Sequence, residues 1–273
     1  MIRWVFLDVG NVIMNDDPVM AFIYWELFQS IRGKGIDLTY PQLLEEREQT
    51  IRATGPGHWY FLGERYLGTD GLHSLMHHCA SQIRSDYMGY HNVLPGMEEA
   101  LGRIATVCSL GILANQLKES VDALVQCGLR GHFRVLAVSE LIDLKKPEPG
   151  IFEWALREAG CAPHEAVMVG DRIDNDVMPA RRAGMWTIWF HAPLREKGYH
   201  PTEGHHRLHF ESQQRASIAQ IGPSSPAEQP DGEATSARML ADEVFRLREL
   251  SMTSLPRGAA EAAATREAAE ADA

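Results

Sequence analysis

Acidic and basic residues stand where short apolar runs stop. Residues 4–7 end at Asp8, followed by Val9, Gly10 and Asn11; residues 108–113 end at Ala114, Asn115 and Gln116. After residues 134–138 come Lys145, Lys146 and Pro147, and after 166–169 the segment Gly170, Asp171, Arg172, Ile173, Asp174, Asn175 and Asp176. If these runs are parallel strands, their carboxyl ends lie side by side and the polar residues converge. Two carboxylates and an ammonium at one point suit a divalent cation with an anion. Hard oxygen ligands with room for water favour magnesium, and Asp8 and Asp171 are the candidate ligands. An ionised aspartate about 4 Å from a phosphate dianion would be repelled by roughly 8 kcal/mol at an effective dielectric near 20. A cation and Lys146 would remove most of that repulsion. One carboxylate is then able to attack phosphorus while metal and lysine stabilise the charge developing on the transferred oxygens.

The elements that must position these groups follow an alternating rhythm. Each run is short, β-branched or aromatic, and bounded by turn formers, as expected of buried parallel strands; residues 186–190 supply a fifth. Helical periodicity covers 117–127, 149–159 and 175–183, the first and last followed by Gly128 and Gly184 at left-handed C-terminal positions. Strand, helix, strand in this order predicts an α/β fold, a doubly wound parallel sheet. About ninety residues separate the first strand from the second, where a crossover needs only about 10 to 12. The excess reads as an inserted α-helical lid, with amphipathic pieces at 19–31, 40–53 and 72–87 divided by Gly33-Lys34-Gly35 and Gly55-Pro56-Gly57. The expected division is a core of residues 1–14 and 95–195, joined by about 210–250, with residues 15–94 as the helical cap. Residues 233–250 are expected to form a helix packing on the core. The Ala/Glu-rich segment 251–273 has almost no large apolar side chain and is expected to be a disordered tail.

Composition limits the partners. The 273 residues carry 26 Lys and Arg against 37 Asp and Glu, a net charge of -11 spread along the chain, so no basic field exists to attract nucleic acid or an acidic membrane. No apolar run approaches the roughly 20 residues of a membrane span, and no signal peptide is visible. Cys79, Cys108, Cys127 and Cys161 lie far apart, without metal-ligand or redox spacing, which reads as reduced thiols in a cytoplasmic protein. An exposed apolar cap surface would favour a homodimer.

Four segments in order, residues 6–13, 112–115, 146–149 and 169–176, resemble the four motifs of the haloacid dehalogenase superfamily of hydrolases. The resemblance spans roughly residues 2–195. It implies a Rossmann-like core with an inserted helical cap and, most often, a magnesium-dependent phosphatase that works through a phospho-aspartyl intermediate. Its substrate would be a small phosphorylated metabolite. By the same resemblance Asp8 is the nucleophile and a metal ligand, the Gly10 carbonyl a second ligand, and Asp171 the remaining carboxylate ligand. Asp176 is an outer partner reaching the metal through water, and Lys146 is the phosphate clamp. Asn115 either positions the phosphate or closes a turn.

Two positions depart from the pattern. Gly10 stands where these phosphatases usually carry a second Asp, the acid that protonates the leaving group, and Ala114 stands where a Ser or Thr usually bonds the phosphate. Losing a positioned acid costs roughly 10² to 10⁴ in rate, and losing a hydrogen bond to a charged acceptor about 1.5–3 kcal/mol. The Asp-x-Gly-Asn form also resembles a branch that includes sugar-phosphate phosphatases. A slow enzyme, or one selective for good leaving groups, is expected. Asp16, Asp17 and His58 are candidate substitute acids. Two other readings stand beside it: a non-catalytic protein of this fold that binds a phosphorylated ligand or partner, and a 2-haloacid dehalogenase. Arg47, Arg52 and Arg65, with Gly55 to Tyr60 as a mobile loop, are either substrate contacts of the lid or surface and cap-core residues. His191, His200, His205, His206 and His209 read as solvated loop residues rather than as a second metal site.

Overall fold

Val5, Phe6 and Leu7 are fully buried, and with Trp4 they form β1 (Trp4–Leu7). The computed structural model describes residues 1–55, 57–218, 221–256 and 258. The tail expected at 251–273 therefore falls, apart from 251–256 and 258, outside the described residues. Five further strands join β1: β2 (Ser109–Ala114), β3 (Phe133–Val138), β4 (Ala166–Gly170), β5 (Trp186–Phe190) and β6 (Gly232–Ala234). All five pairings are parallel, in the order β3-β2-β1-β4-β5-β6. Among the described residues, the α-helices of five residues or more in chain order are α1 (Asp17–Gly33), α2 (Tyr40–Thr54), α3 (His58–Ser85), α4 (Met97–Ala105), α5 (Glu119–Gln126), α6 (Pro149–Ala159), α7 (Met178–Arg182), α8 (Gly204–Arg215) and α9 (Ala237–Leu250). This is the doubly wound α/β fold that the sequence predicts. Strand order reverses between β1 and β4, which opens a crevice at their carboxyl ends.

Two compact units divide the chain. Among the described residues, 1–14, 93–193, 222–256 and 258 form the sheet unit. One face of its sheet buries Phe6, Leu113, Ala137 and Met168 with Ile151 and Phe152 of α6. At Gly111 the Phe6 ring comes so close that an added Cβ would stand 2.6 Å from it, so the β1–β2 contact requires glycine there. The helix expected at 233–250 begins later: β6 ends at Ala234, and Ser236 caps α9 by accepting a bond from the Met239 amide at 3.3 Å. A three-residue edge strand is too short to leave a periodic signal.

Residues 15–92 and 194–221 form the helical unit, with α1, α2, α3 and α8. Its core gathers Tyr24, Leu27, Ile31, Leu43, Leu62 and Leu75. Thr39 begins α2 with a capping box to Gln42. Residues 210–221, expected to belong with the sheet, belong here instead, and the reason is chemical. α8 buries a polar face: Arg47 donates to Ser212 Oγ at 3.1 Å and to the Ala216 carbonyl at 3.0 Å, Gln213 donates to Asp17 Oδ1 at 3.0 Å, and Arg215 grips Glu48 at 2.8–2.9 Å. Such a face carries no hydrophobic period. Arg47 is thus an internal strut of this unit. Of the loop expected at Gly55 to Tyr60, residue 56 lies outside the described residues and His58 to Tyr60 instead begin α3, where His58 is buried and its Nδ1 meets the Tyr24 hydroxyl.

One buried pair in this unit makes stability depend on pH. The His91 ring stacks on Tyr87, its Nδ1 bonds the Tyr87 carbonyl at 2.8 Å, and its Nε2 lies 3.4 Å from Asp16 Oδ1. Burial opposes the imidazolium, but the Asp16 carboxylate outweighs it and the His91 pKa is raised. The pair's contribution is therefore complete below the free-imidazole value of about 6.5 and is lost as pH rises through the folded value. His91→Gln is expected to lower the melting temperature by roughly 2–4 °C at pH 5.5, equivalent to about 1 kcal/mol, with a smaller difference at pH 8.5. Thermal scans at the two pH values check this, and an equal loss at both would refute it.

Candidate active site

The site lies within the sheet unit, where β1 and β4 end. Leu7 pairs with Val169, and the Asp8 amide extends the ladder to the Val169 carbonyl at 2.9 Å, so Asp8 leaves the sheet beside Gly170 and Asp171. The chain then folds on itself: the amides of Ile13 and Met14 both reach the Val9 carbonyl at 2.9 Å, and Asn11 takes a left-handed conformation at φ 55°. Asn suits that conformation better than most side chains. Gly10 is buried in this turn and bridges to Met14.

After β4 the backbone makes one wide π turn, Ile173–Val177, which carries Asp176 back over the strand end. The Arg172 amide donates to Asp176 Oδ2 at 3.0 Å. The Asp176 carboxylate rests against Gly170, where an added Cβ would lie 2.2 Å from both Cβ and Cγ of Asp176. Glycine is required at that close approach. Gly170→Ala is expected to lower stability by about 1–3 kcal/mol and to displace Asp176, so turnover falls with it. Denaturant melts and kinetics on one preparation test this; wild-type behaviour in both would show that the loop yields freely.

Lys146 comes from the β3 side, in a cis peptide with Pro147. Its side chain is fully buried, with Nζ 2.6 Å from Asp176 Oδ1 and 3.0 Å from Asp8 Oδ2. Lys145 is exposed and faces Glu148 at 3.8 Å, so Lys146 is the lysine of the site. Asn115 bonds the backbone of Lys146: its Nδ2 donates to the Lys146 carbonyl and its Oδ1 accepts from the Lys146 amide, both at 2.8 Å. It fixes the lysine's backbone. Ala114 is wholly buried and offers no polar group. Asp174 turns outward, where Arg172 holds it at 2.6 and 3.1 Å. One participant has no polar signature in the sequence, because it is an apolar residue of a core strand: Trp189 of β5 donates its indole N–H to the Asp171 carbonyl at 3.0 Å.

Asp8, Asp171 and Asp176 each offer an oxygen, and these atoms lie within 4.8 Å of one another. Among the described residues no other group of three or more His, Cys, Asp or Glu is so gathered, and the histidines at 191–209 form none. Two carboxylates at that separation repel by about 3 kcal/mol at an effective dielectric near 20. Lys146 faces two of these three buried carboxylates, Asp8 and Asp176, which leaves a surplus of negative charge. Burial pushes the Asp8 carboxyl up to about 7; Lys146 opposes the rise and Asp176 adds to it. Burial alone would depress Lys146, yet the two aspartates raise it. Buried hard oxygens with surplus negative charge form a donor set that fits a divalent cation.

Comparison with known proteins agrees with this geometry. The family described as haloacid dehalogenase-like hydrolase matches residues 2–184. A glyceraldehyde 3-phosphate phosphatase of Methanopyrus kandleri is 27% identical over 194 residues, 69% of this chain and 83% of that protein. A pyrimidine 5'-nucleotidase, YjjG, of Escherichia coli is 35% identical over 113 residues, 40% of this chain and 50% of that one. The crystal structure of a HAD phosphatase from Thermococcus onnurineus shares the fold with a TM-score of 0.55 at 21% identity, covering 89% of this chain and 98% of that one. Among the described residues no helix is long and apolar enough to cross a membrane. With its four strand-end segments gathered at one buried acidic site, the chain belongs to the haloacid dehalogenase-like hydrolase family and is a hydrolase.

Proposed function

We propose that this hydrolase is a magnesium-dependent phosphatase of small phosphorylated metabolites, acting through an aspartyl-phosphate at Asp8, with the helical unit as its cap. The observation that carries this reading is the buried trio of Asp8, Asp171 and Asp176, two of which, Asp8 and Asp176, contact the buried Lys146. The relatives named as phosphatase and nucleotidase support the substrate class. Asp8, Asp171 and the Gly10 carbonyl would hold the cation, with Asp176 assisting through water. Magnesium bound there supplies Lewis-acid stabilisation and offsets the surplus negative charge.

The chain's own groups divide the remaining work. The Val9 amide donates to Asp8 Oδ1 at 2.8 Å and Lys146 lies beside Oδ2, so the nucleophile is held from both sides. An Asp8 oxygen attacks phosphorus, the bond from phosphorus to the leaving oxygen breaks, and that oxygen keeps the electron pair and takes a proton from solvent. Water then attacks the same phosphorus, which releases inorganic phosphate and restores the Asp8 carboxylate. Lys146 neutralises charge on the transferred oxygens. Gly10 supplies no proton, so leaving groups stable as anions are favoured. A 2-haloacid suits the site poorly, because three buried carboxylates would repel its carboxylate.

The test compares p-nitrophenyl phosphate with a simple alkyl phosphate, with and without magnesium. Turnover is expected only with the metal, and the aryl ester is expected to react at least about 10²-fold faster. Metal-independent turnover would overturn the magnesium assignment, and equal rates on the two esters would overturn the leaving-group selectivity.

A further inference from the structure

We infer that Trp189 is a positioning residue for the metal site, its indole N–H holding the Asp171 backbone and thereby the π turn that carries Asp176. The inference rests on the magnesium reading above and adds a residue to it. Asp171 is the first residue beyond β4, and its backbone joins the strand to the turn that carries Asp176. The Arg172 amide bonds the Asp176 carboxylate at one end of the peptide that Asp171 begins, and the Asp171 carbonyl at the other end accepts from Trp189. A rotation of that peptide would therefore disturb both bonds together.

The donor is itself immobile. Trp189 is buried to 7% exposure in β5, next in the sheet to β4, with Gly170 as its paired residue. Its ring packs against Ile173 and Val177 of the π turn and stacks on His191 at a centroid separation of 3.9 Å. At Gly222 an added Cβ would stand 3.1 Å from the indole, so the chain passes close over the ring's far edge. The ring is thus confined on several sides, and its one polar atom meets the carbonyl of a candidate ligand. Groups that orient metal ligands typically change metal affinity about 10- to 100-fold when removed.

The experiment measures magnesium affinity directly, by thermal shift and by titration of intrinsic fluorescence, in wild type and Trp189→Phe. Phenylalanine keeps much of the ring and lacks the donor. Magnesium affinity is expected to fall about 10-fold or more in Trp189→Phe. Ile188→Val, a packing loss in the same strand, is expected to lower the melting temperature and leave magnesium affinity unchanged. Unaltered affinity in Trp189→Phe, or an equal loss in Ile188→Val, would overturn the inference. A wild type that shows no response to magnesium overturns the metal reading and the inference with it, so the two failures are distinguishable. If Trp189→Phe does not fold, the wild-type indole resonance of Trp189 decides: slow hydrogen exchange and a shift on adding magnesium support the inference, and fast exchange with no shift overturns it.

Discussion

Asp8→Asn is expected to reduce phosphate release by at least about 10³-fold while the protein stays folded, because an amide cannot form the acyl phosphate. The same change should not lower stability. Asp8 is one of three buried carboxylates gathered within 4.8 Å, and burial already drives its carboxyl up to about 7. Removing its charge relieves repulsion, and Lys146 keeps its partner Asp176 at 2.6 Å. In chelator at pH 8 the variant is therefore expected to melt at or above the wild-type temperature, and its gain on adding magnesium should be smaller. Kinetics and thermal scans together check the prediction. A variant that is inactive because it is unfolded would leave the nucleophile unassigned, and an active one would exclude Asp8.

Lys146→Met is expected to do the opposite to stability. Methionine fills much of the same volume but strips Asp8 and Asp176 of their counter-charge within a buried site. Breaking a buried pair by removing one partner costs about 3–5 kcal/mol, because the remaining charge stays desolvated. Phosphate release should fall to the level of Asp8→Asn, and part of the lost stability should return when magnesium is added, since a cation there offsets the same charge. Chemical denaturation with and without magnesium measures both effects. Wild-type stability in chelator would show that the carboxylates are protonated or solvated rather than held by the lysine.

Asp8 and Asp171 were legible in the sequence for one physical reason, while Lys146, eight residues beyond the end of β3, was located by the resemblance of residues 146–149 to the third motif. A charged residue that closes a buried parallel strand has few roles other than chemistry at the carboxyl edge, and the strand runs that locate it are short and apolar. The sheet was legible by the same periodicity, except for β6, whose three residues leave no pattern. α8 was misassigned because its buried face is polar: Ser212 and Gln213 are satisfied by Arg47 and Asp17, contacts that no hydrophobic period marks. Asn115 holds both backbone groups of Lys146, a link across 31 residues that local sequence does not mark. Trp189 was hidden for the converse reason, since an indole in an apolar strand reads as core, and only the direction of its N–H reveals the contact with Asp171.

Chemical trapping would reveal the covalent phosphoryl group proposed on Asp8. Wild-type protein turning over p-nitrophenyl phosphate with magnesium would be quenched with borohydride, which reduces an aspartyl phosphate to homoserine, and residue 8 would be identified by peptide mass spectrometry. Homoserine is expected at position 8 in the presence of substrate, and aspartate there in its absence. Sustained turnover with residue 8 unmodified under trapping conditions would contradict it.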